Sequence, residues 1–284
     1  MGLGDYLGLP FFQHALIAAT LVAITCGLIG PFVITRGAAF AVHGVAEMSF
    51  TSAVAGLVWL HDPVLGALLG SIVMAGAIGL LGARQRERDS AIGVTLAFGL
   101  GVGIFLLGHY HGSIGSAYSI LFGQILGISD DQLWLLLGVA GGVLITMLLI
   151  YRRLFFASID PEVAEARGVR VRAIGLVFLL ILSLTVTEAA QIVGTLLVLS
   201  LAITPAAAAL RLSARPVAVA VFSIVFALIA ADGGLLLNTQ AENVSPSVFV
   251  TSISFGIYLI ARVGGHWLRG RRSRPPAALG PTGP

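Results

Sequence analysis

The chain has no lysine; all sixteen of its basic residues are arginine. A nucleotide-binding loop of the GxxxxGK[ST] type needs a lysine on the phosphates, so no such loop can be present and the chain does not hydrolyse ATP through one. Cysteine is nearly absent as well. Cys26 stands alone, which excludes an internal disulfide and a cysteine metal cluster. Charge is scarce, at 10% of the 284 residues, and a soluble domain of this length needs far more polar surface. No long polar block interrupts the chain, so no soluble domain is expected within it. No HExxH or GxSxG motif is found, which argues against an intramembrane hydrolase. The pI of about 9.5 is not a nucleic-acid signal, because the arginines are spread over short loops, and no nucleic-acid partner is expected.

What remains is apolar. Hydrophobic residues make up 57% of the chain and the mean hydropathy is +1.00. Nine apolar segments can be marked, roughly 11–35, 37–60, 64–83, 91–108, 133–151, 173–188, 191–210, 216–236 and 247–262. Most are long enough to cross a hydrocarbon core of ~30 Å. The first has no basic leader and ends at Arg36, so it reads as a spanning helix rather than a cleaved signal. Every arginine follows an odd-numbered segment, and by the positive-inside rule this sets the N-terminus outside and the C-terminus inside. The turn at 187–191 is too short for a comfortable reversal and marks a place for a broken or re-entrant helix. The reading is therefore an all-α, polytopic transmembrane bundle of about eight to nine spans over residues 1–270, with a disordered cytoplasmic tail at 271–284. The "GLGVG" run at 99–103 lies inside a span with no strand before it, so it serves helix packing rather than phosphate binding.

The stretch "AFAVHGVAEMSF" places His43 and Glu47 on one face of the second span. At 1.5 Å per residue Glu47 falls near the bilayer centre, with His43 one turn towards the cytoplasm. Counted the same way, His14, Glu188 and Asp232 fall near the outer edge, which leaves His43 and Glu47 as the deeply placed ionisable pair. A charge at that depth costs about 3 kcal/mol on the insertion scale, so it is expected to face a bundle interior or an aqueous path. Three readings follow: a bracing hydrogen bond between helices, a proton relay of a secondary transporter, or a metal site. Carboxylate oxygen and imidazole nitrogen are both ligands for zinc, manganese or ferrous iron. One pair is too few to hold a metal; two pairs meeting at a dimer axis supply four ligands and two negative charges. His109 and His111, in "GHYHG", sit at the expected outer mouth, and with Glu188 they are candidates for the outer path.

The arginine-bearing loop of about 152–172 contains a short helix with its own punctuation. Asp160 caps it, Pro161 occupies the first position, Glu162 and Glu165 suit the early turns, and Gly168 suits the stop. Small Ala164 and Ala166 offer close approach to a partner at the cytoplasmic face. The other reading is an ordinary interfacial amphipathic helix.

Four stretches together resemble the membrane permease subunits of ABC importers for zinc, manganese and iron. They are "TRGAAFAVHGVAEMSFTSAVAGL", "AYSILFGQILGIS", "IDPEVAEARGVRVRAIG" and "QIVGTLLVLSLAITPAAAALRL", in family order across most of the chain. The resemblance implies a type II-like importer at the cell membrane. Two copies of the permease would form the path, separate cytoplasmic subunits would bind ATP, and an extracytoplasmic metal-binding protein would deliver the ion. It implies no permanently bound cofactor, only a transported divalent metal. It also makes Asp160, Pro161, Glu162, Ala164, Glu165 and Gly168 the coupling element to the ATPase. Zinc and manganese members carry Asp and then His, four apart, in the second span. Here His43 stands at the Asp position and Glu47 at the His position, so the ligand types are kept in swapped order.

Overall fold

The computed structural model describes residues 8–81, 85–109, 123, 127–195, 198–240 and 245–272. Every regular element among them is an α-helix. In chain order these are α1 (Pro10–Thr35), α2 (Ala39–Trp59), α3 (Pro63–Leu81), α4 (Gln85–His109), α5 (Asp130–Ile159) and α6 (Pro161–Ala166). They continue as α7 (Val171–Val193), α8 (Val198–Ala202), α9 (Thr204–Leu212), α10 (Pro216–Asn238) and α11 (Pro246–Arg272). Seven of them contain stretches long and apolar enough to cross a membrane: α1, α2, α4, α5, α7, α10 and α11. Pro63–Gly79 and Val198–Leu212 are apolar but shorter. The chain is a multi-pass membrane protein of the expected all-α class.

The break expected at 187–191 lies elsewhere. α7 runs through those residues to Val193, and the chain turns at Gly194, whose φ is +100°. It breaks again at Ile203, between α8 and α9. The seventh apolar segment is thus two short helices. Its Pro205 falls in the first turn of α9, where the absent N–H costs nothing. At the C-terminus α11 continues to Arg272, so the expected tail begins no earlier than 273, and residues 273–284 lie outside those described.

α1 forms the centre of the bundle, packed against α10, α5, α7 and α9. Its ends are fixed by polar contacts. At one end His14 Nε2 is 3.3 Å from Asp130 Oδ1, and Thr20 Oγ1 donates to Asp232 at 3.1 Å. At the other, Arg36 Nη1 donates to Ser158 Oγ at 3.2 Å. The starts of α1 and α5 therefore share one face, and their ends share the other with Arg36. That is the arrangement the arginine distribution requires.

In a bilayer the close approach of helices rests on packing rather than on expulsion of water, and small residues permit it. α2 and α3 meet through glycine. A Cβ at Gly66 would lie 2.5 Å from the carbonyl oxygen of Ser52 and 2.6 Å from Gly56 Cα. α4 lies on the neighbouring side of α2, with Gly99 against Met48 and Gly103 against Phe50 and Thr51. Thr51 Oγ1 donates to the Gly99 carbonyl at 2.8 Å.

Candidate functional site

α2 places the pair. Glu47 is 3% exposed and His43 is half-buried, one helical turn apart. His43 Nδ1 and Glu47 Oε2 are buried, and neither has a hydrogen-bond partner. A bracing role would consume these atoms in bonds to neighbouring helices; instead they remain available, at a cost of about 1–3 kcal/mol each. Among the described residues no group of three or more His, Cys, Asp or Glu could hold a metal ion. The pair on α2 is thus not joined by a third such side chain among the described residues.

A cavity opens above this level, with about 110 Å³ of free volume. It lies between the outer half of α2, the starts of α3 and α5 and the end of α7. Ser49, Gln132, Gln191 and Thr195 give it a polar lining. The start of α5 is held beside it by a capping box, in which Gln132 N–H donates to Ser129 Oγ and Ser129 N–H donates to Gln132 Oε1. Gly123 closes the end of α7. With φ at +80° it lies against the backbone of Ile192 to Gly194, where any Cβ would overlap the Ile192 carbonyl. This is the glycine of the Leu-Phe-Gly stretch, and its contact accounts for that residue type.

Glu188 differs from expectation. Counted along the helix it belongs near the outer edge, but it is 2% exposed and both carboxylate oxygens are buried without a partner. Depth along the membrane normal and burial within the bundle are separate quantities, and helix length reports only the first. His43 and Glu47 are therefore not the only interior ionisable residues. His109 is the last residue of α4, exposed, with Nδ1 3.0 Å from the Phe105 carbonyl and its ring 4.4 Å from that of Phe105. It lies apart from Glu47 and is not brought to the pair. His111 lies outside the described residues.

On the cytoplasmic side α6 forms as its residues require. Val163 N–H donates to Asp160 Oδ1 at 3.0 Å, Pro161 takes the first turn, and Gly168 stops the helix with φ +81°. Ala164 corrects the expectation of close approach to a partner. It is fully buried beneath α6, which packs on α5 and α7. The outward surface is made by Glu162, Val163, Glu165, Ala166 and Arg167. Geometry explains the reversal: a helix of six residues lying on a bundle needs one small residue underneath.

Two features escaped the sequence reading. Arg36 joins α1 to α5 and α7, with its guanidinium 5.3 Å above the Phe178 ring. The outer half of α7 carries Ser183, Thr185 and Thr187, all buried with unpartnered hydroxyls. The signal for the second was present in "SLTVTEAAQIVGT", where Ser183, Thr187, Gln191 and Thr195 recur every four residues.

A bundle of this kind, with an unpartnered acid–imidazole pair in a central helix, a polar cavity on one face and a capped helix on the other, is a polytopic membrane transport protein. Residues 8–264 match the ABC 3 transport family, and the chain belongs to that family. It is 33% identical over 254 residues to the manganese transport system membrane protein MntC of Halalkalibacterium halodurans, covering 88% of this chain and 87% of that one. It is 34% identical over 203 residues to the manganese import system permease protein ScaB of Streptococcus parasanguinis, covering 70% and 71%. The fold matches PsaBC from Streptococcus pneumoniae, solved in complex with Fab, with a TM-score of 0.83 and 26% identity over 95% of this chain and 100% of that one. The chain is thus a membrane permease of the metal-ion ABC transporter type.

Proposed function

We propose that the chain is the membrane-spanning subunit of an ATP-driven importer of divalent transition metal, with manganese as its principal cargo. Two copies form the path, and His43 and Glu47 of each line it. Cytoplasmic ATPase subunits dock below α6, and an extracytoplasmic binding protein delivers the ion above. The observation that carries this reading is the buried pair on α2 with an unpartnered nitrogen and an unpartnered oxygen. Two copies offer two imidazoles and two carboxylates, a mixed N/O set whose two negative charges balance one divalent ion. Manganese is favoured because the relatives MntC and ScaB are described as manganese transport proteins. The missing P-loop lysine supports a separate ATPase. Family membership argues against the alternative of a proton-coupled secondary transporter.

The test is manganese uptake, with zinc and ferrous iron as competitors, in cells carrying Glu47→Ala or Glu47→Gln. Membrane abundance is measured on the same samples. Uptake is expected to fall while abundance holds. Normal uptake with Glu47→Ala would remove the pair from the path, and loss of abundance would return it to a bracing role.

A further inference from the structure

We propose that Glu188 is a proton-binding site reached from the outer face through the cavity bounded by α2, α3, α5 and α7. Glu188 is among the largest fully enclosed side chains of the molecule, and neither of its oxygens meets a hydrogen-bond donor. An ionised carboxylate without a partner is strongly disfavoured in such surroundings. The group therefore needs a cation, and one negative charge calls for a univalent one. A divalent metal needs further carboxylate or imidazole ligands: among the described residues no cluster of three includes Glu188, and its enclosure within one chain leaves no surface for a second copy to add them.

The groups on the packed elements do not supply that cation. α3 and α8 carry no titratable side chain. α1 brings Cys26, buried and close enough to interact electrostatically with Glu188, but a thiol offers no positive charge. His14 and Arg36 of α1 lie at its two ends, bound to Asp130 and Ser158. On α5, Asp130 and Asp131 stand at the outer end, with Tyr151, Arg152 and Arg153 towards the cytoplasmic one. The charges of α6 are at the cytoplasmic face, about 25 Å from Glu188 by helical rise. α2 carries His43 and Glu47, and neither of them hydrogen-bonds to Glu188, whose two oxygens are both without a partner.

Access is local. On a helix, residues three and four apart are surface neighbours. The neighbours of Glu188 one turn outward are Gln191 and Ile192, and both line the cavity. One turn inward Thr185 presents a buried, unpartnered hydroxyl. Thr187, also unpartnered, precedes Glu188 on α7, and Thr195, unpartnered and just beyond the end of α7, lines the cavity. Glu188 thus lies one helical turn below a cavity lined with amide and hydroxyl groups, which can pass a proton through hydrogen-bonded water. On α2 the cavity is lined by Ser49, Phe50 and Ala53, and Phe50 lies one turn outward of Glu47, so the cavity borders the pair on α2 as well as Glu188 on α7.

The test uses the full chain in lipid nanodiscs and does not depend on metal transport. Infrared difference spectra between wild type and Glu188→Gln are expected to show a protonated carboxylic C=O band at neutral pH, belonging to Glu188. The band should shift promptly when water is exchanged for D2O. If Glu188→Gln does not fold, Glu188→Asp should displace the same band in frequency. Absence of the band, failure to shift in D2O, or its loss on adding sodium at constant pH would each overturn the proposal. Access is read in a Cys26→Ser background with a membrane-impermeant, hydrophilic thiol reagent added outside. Gln191→Cys should react and Val186→Cys, fully buried, should not. An unreactive Gln191→Cys would overturn the outer route.

Discussion

The guanidinium of Arg36 stands 5.3 Å above the Phe178 ring and donates to Ser158, so the end of α1 is fastened to both helices that carry α6 between them. Phe178 in turn lies 6.5 Å from Phe32, whose ring meets Tyr151 edge-on at 5.3 Å. One arginine therefore ties three helices at the cytoplasmic end of the bundle. A cation–π contact is worth about 0.5–2 kcal/mol, and a hydrogen bond to a charged group about 1.5–3 kcal/mol. Arg36→Ala is expected to lower stability by roughly 2–3 kcal/mol after partial solvation of the site, measured by thermal unfolding in nanodiscs. Arg36→Lys should recover only part of this, because an ammonium cannot keep the planar stack and the Ser158 bond together. An unchanged melting temperature for Arg36→Ala would show that the three helices hold without it.

The α2–α3 contact makes a second prediction. Gly66 and Gly56 meet backbone to backbone, with the Gly66 position also against the Ser52 carbonyl. None of these atoms is the end of a flexible side chain, so added bulk can be relieved only by moving a helix. Gly66→Val should cost at least the roughly 1–3 kcal/mol of an overpacked core and reduce membrane abundance. Gly76→Val, where nothing lies within 4 Å of a Cβ, is the control and should be tolerated. Equal abundance of the two variants would contradict the close packing.

The order of the apolar segments was legible in hydropathy alone, because a bilayer demands long apolar runs and the arginines mark one side of it, but the span count was only roughly so: seven helices are long enough to cross, and Pro63–Gly79 and Val198–Leu212 are shorter. The break was misplaced because periodicity in "TVTEAAQIVGT" does not distinguish a turn from a polar helix; the left-handed Gly194 decides it. The caps of α6 were legible because Asp160, Pro161 and Gly168 act locally. Burial was not. Ala164 was read as an outward contact and Glu188 as an edge residue, since both depend on which neighbours arrive from distant sequence. Arg36 was counted only as a topological charge, and nothing local to it announces Ser158 or Phe178.

The swapped order of the pair yields a third prediction. If ligand type rather than position matters, exchanging the two residues should preserve function. The double variant His43→Glu/Glu47→His is expected to retain most manganese uptake. Each single alanine variant should lose at least the roughly tenfold that even an outer-shell metal partner contributes. Uptake in the double variant as low as in Glu47→Ala would mean that the order is fixed by the geometry of α2. A charge-only role would instead be exposed by full uptake in His43→Ala.

The last prediction separates the two faces of α6. Ala164 is enclosed between α6 and the bundle, so Ala164→Arg forces a charged side chain into a space with no room for it. It should lower the abundance and melting temperature of the permease itself, and not merely block a partner. Gly168→Val acts on the same permease stability by another route. Its φ of +81° suits glycine, and a β-branched residue there costs about 1–2 kcal/mol, whereas Gly168→Asn should be milder. Arg167 and Glu165 are exposed and free of such constraints. Arg167→Glu and Glu165→Arg should therefore leave abundance and melting unchanged, so that an effect on uptake would report the proposed docking of an ATPase. Loss of ATPase pull-down and of uptake in these two variants, with the permease intact, is the expected outcome. If both variants bind and transport normally, the docking surface lies elsewhere on the cytoplasmic face, with the α9–α10 turn at Arg211 to Arg215 the next place to test.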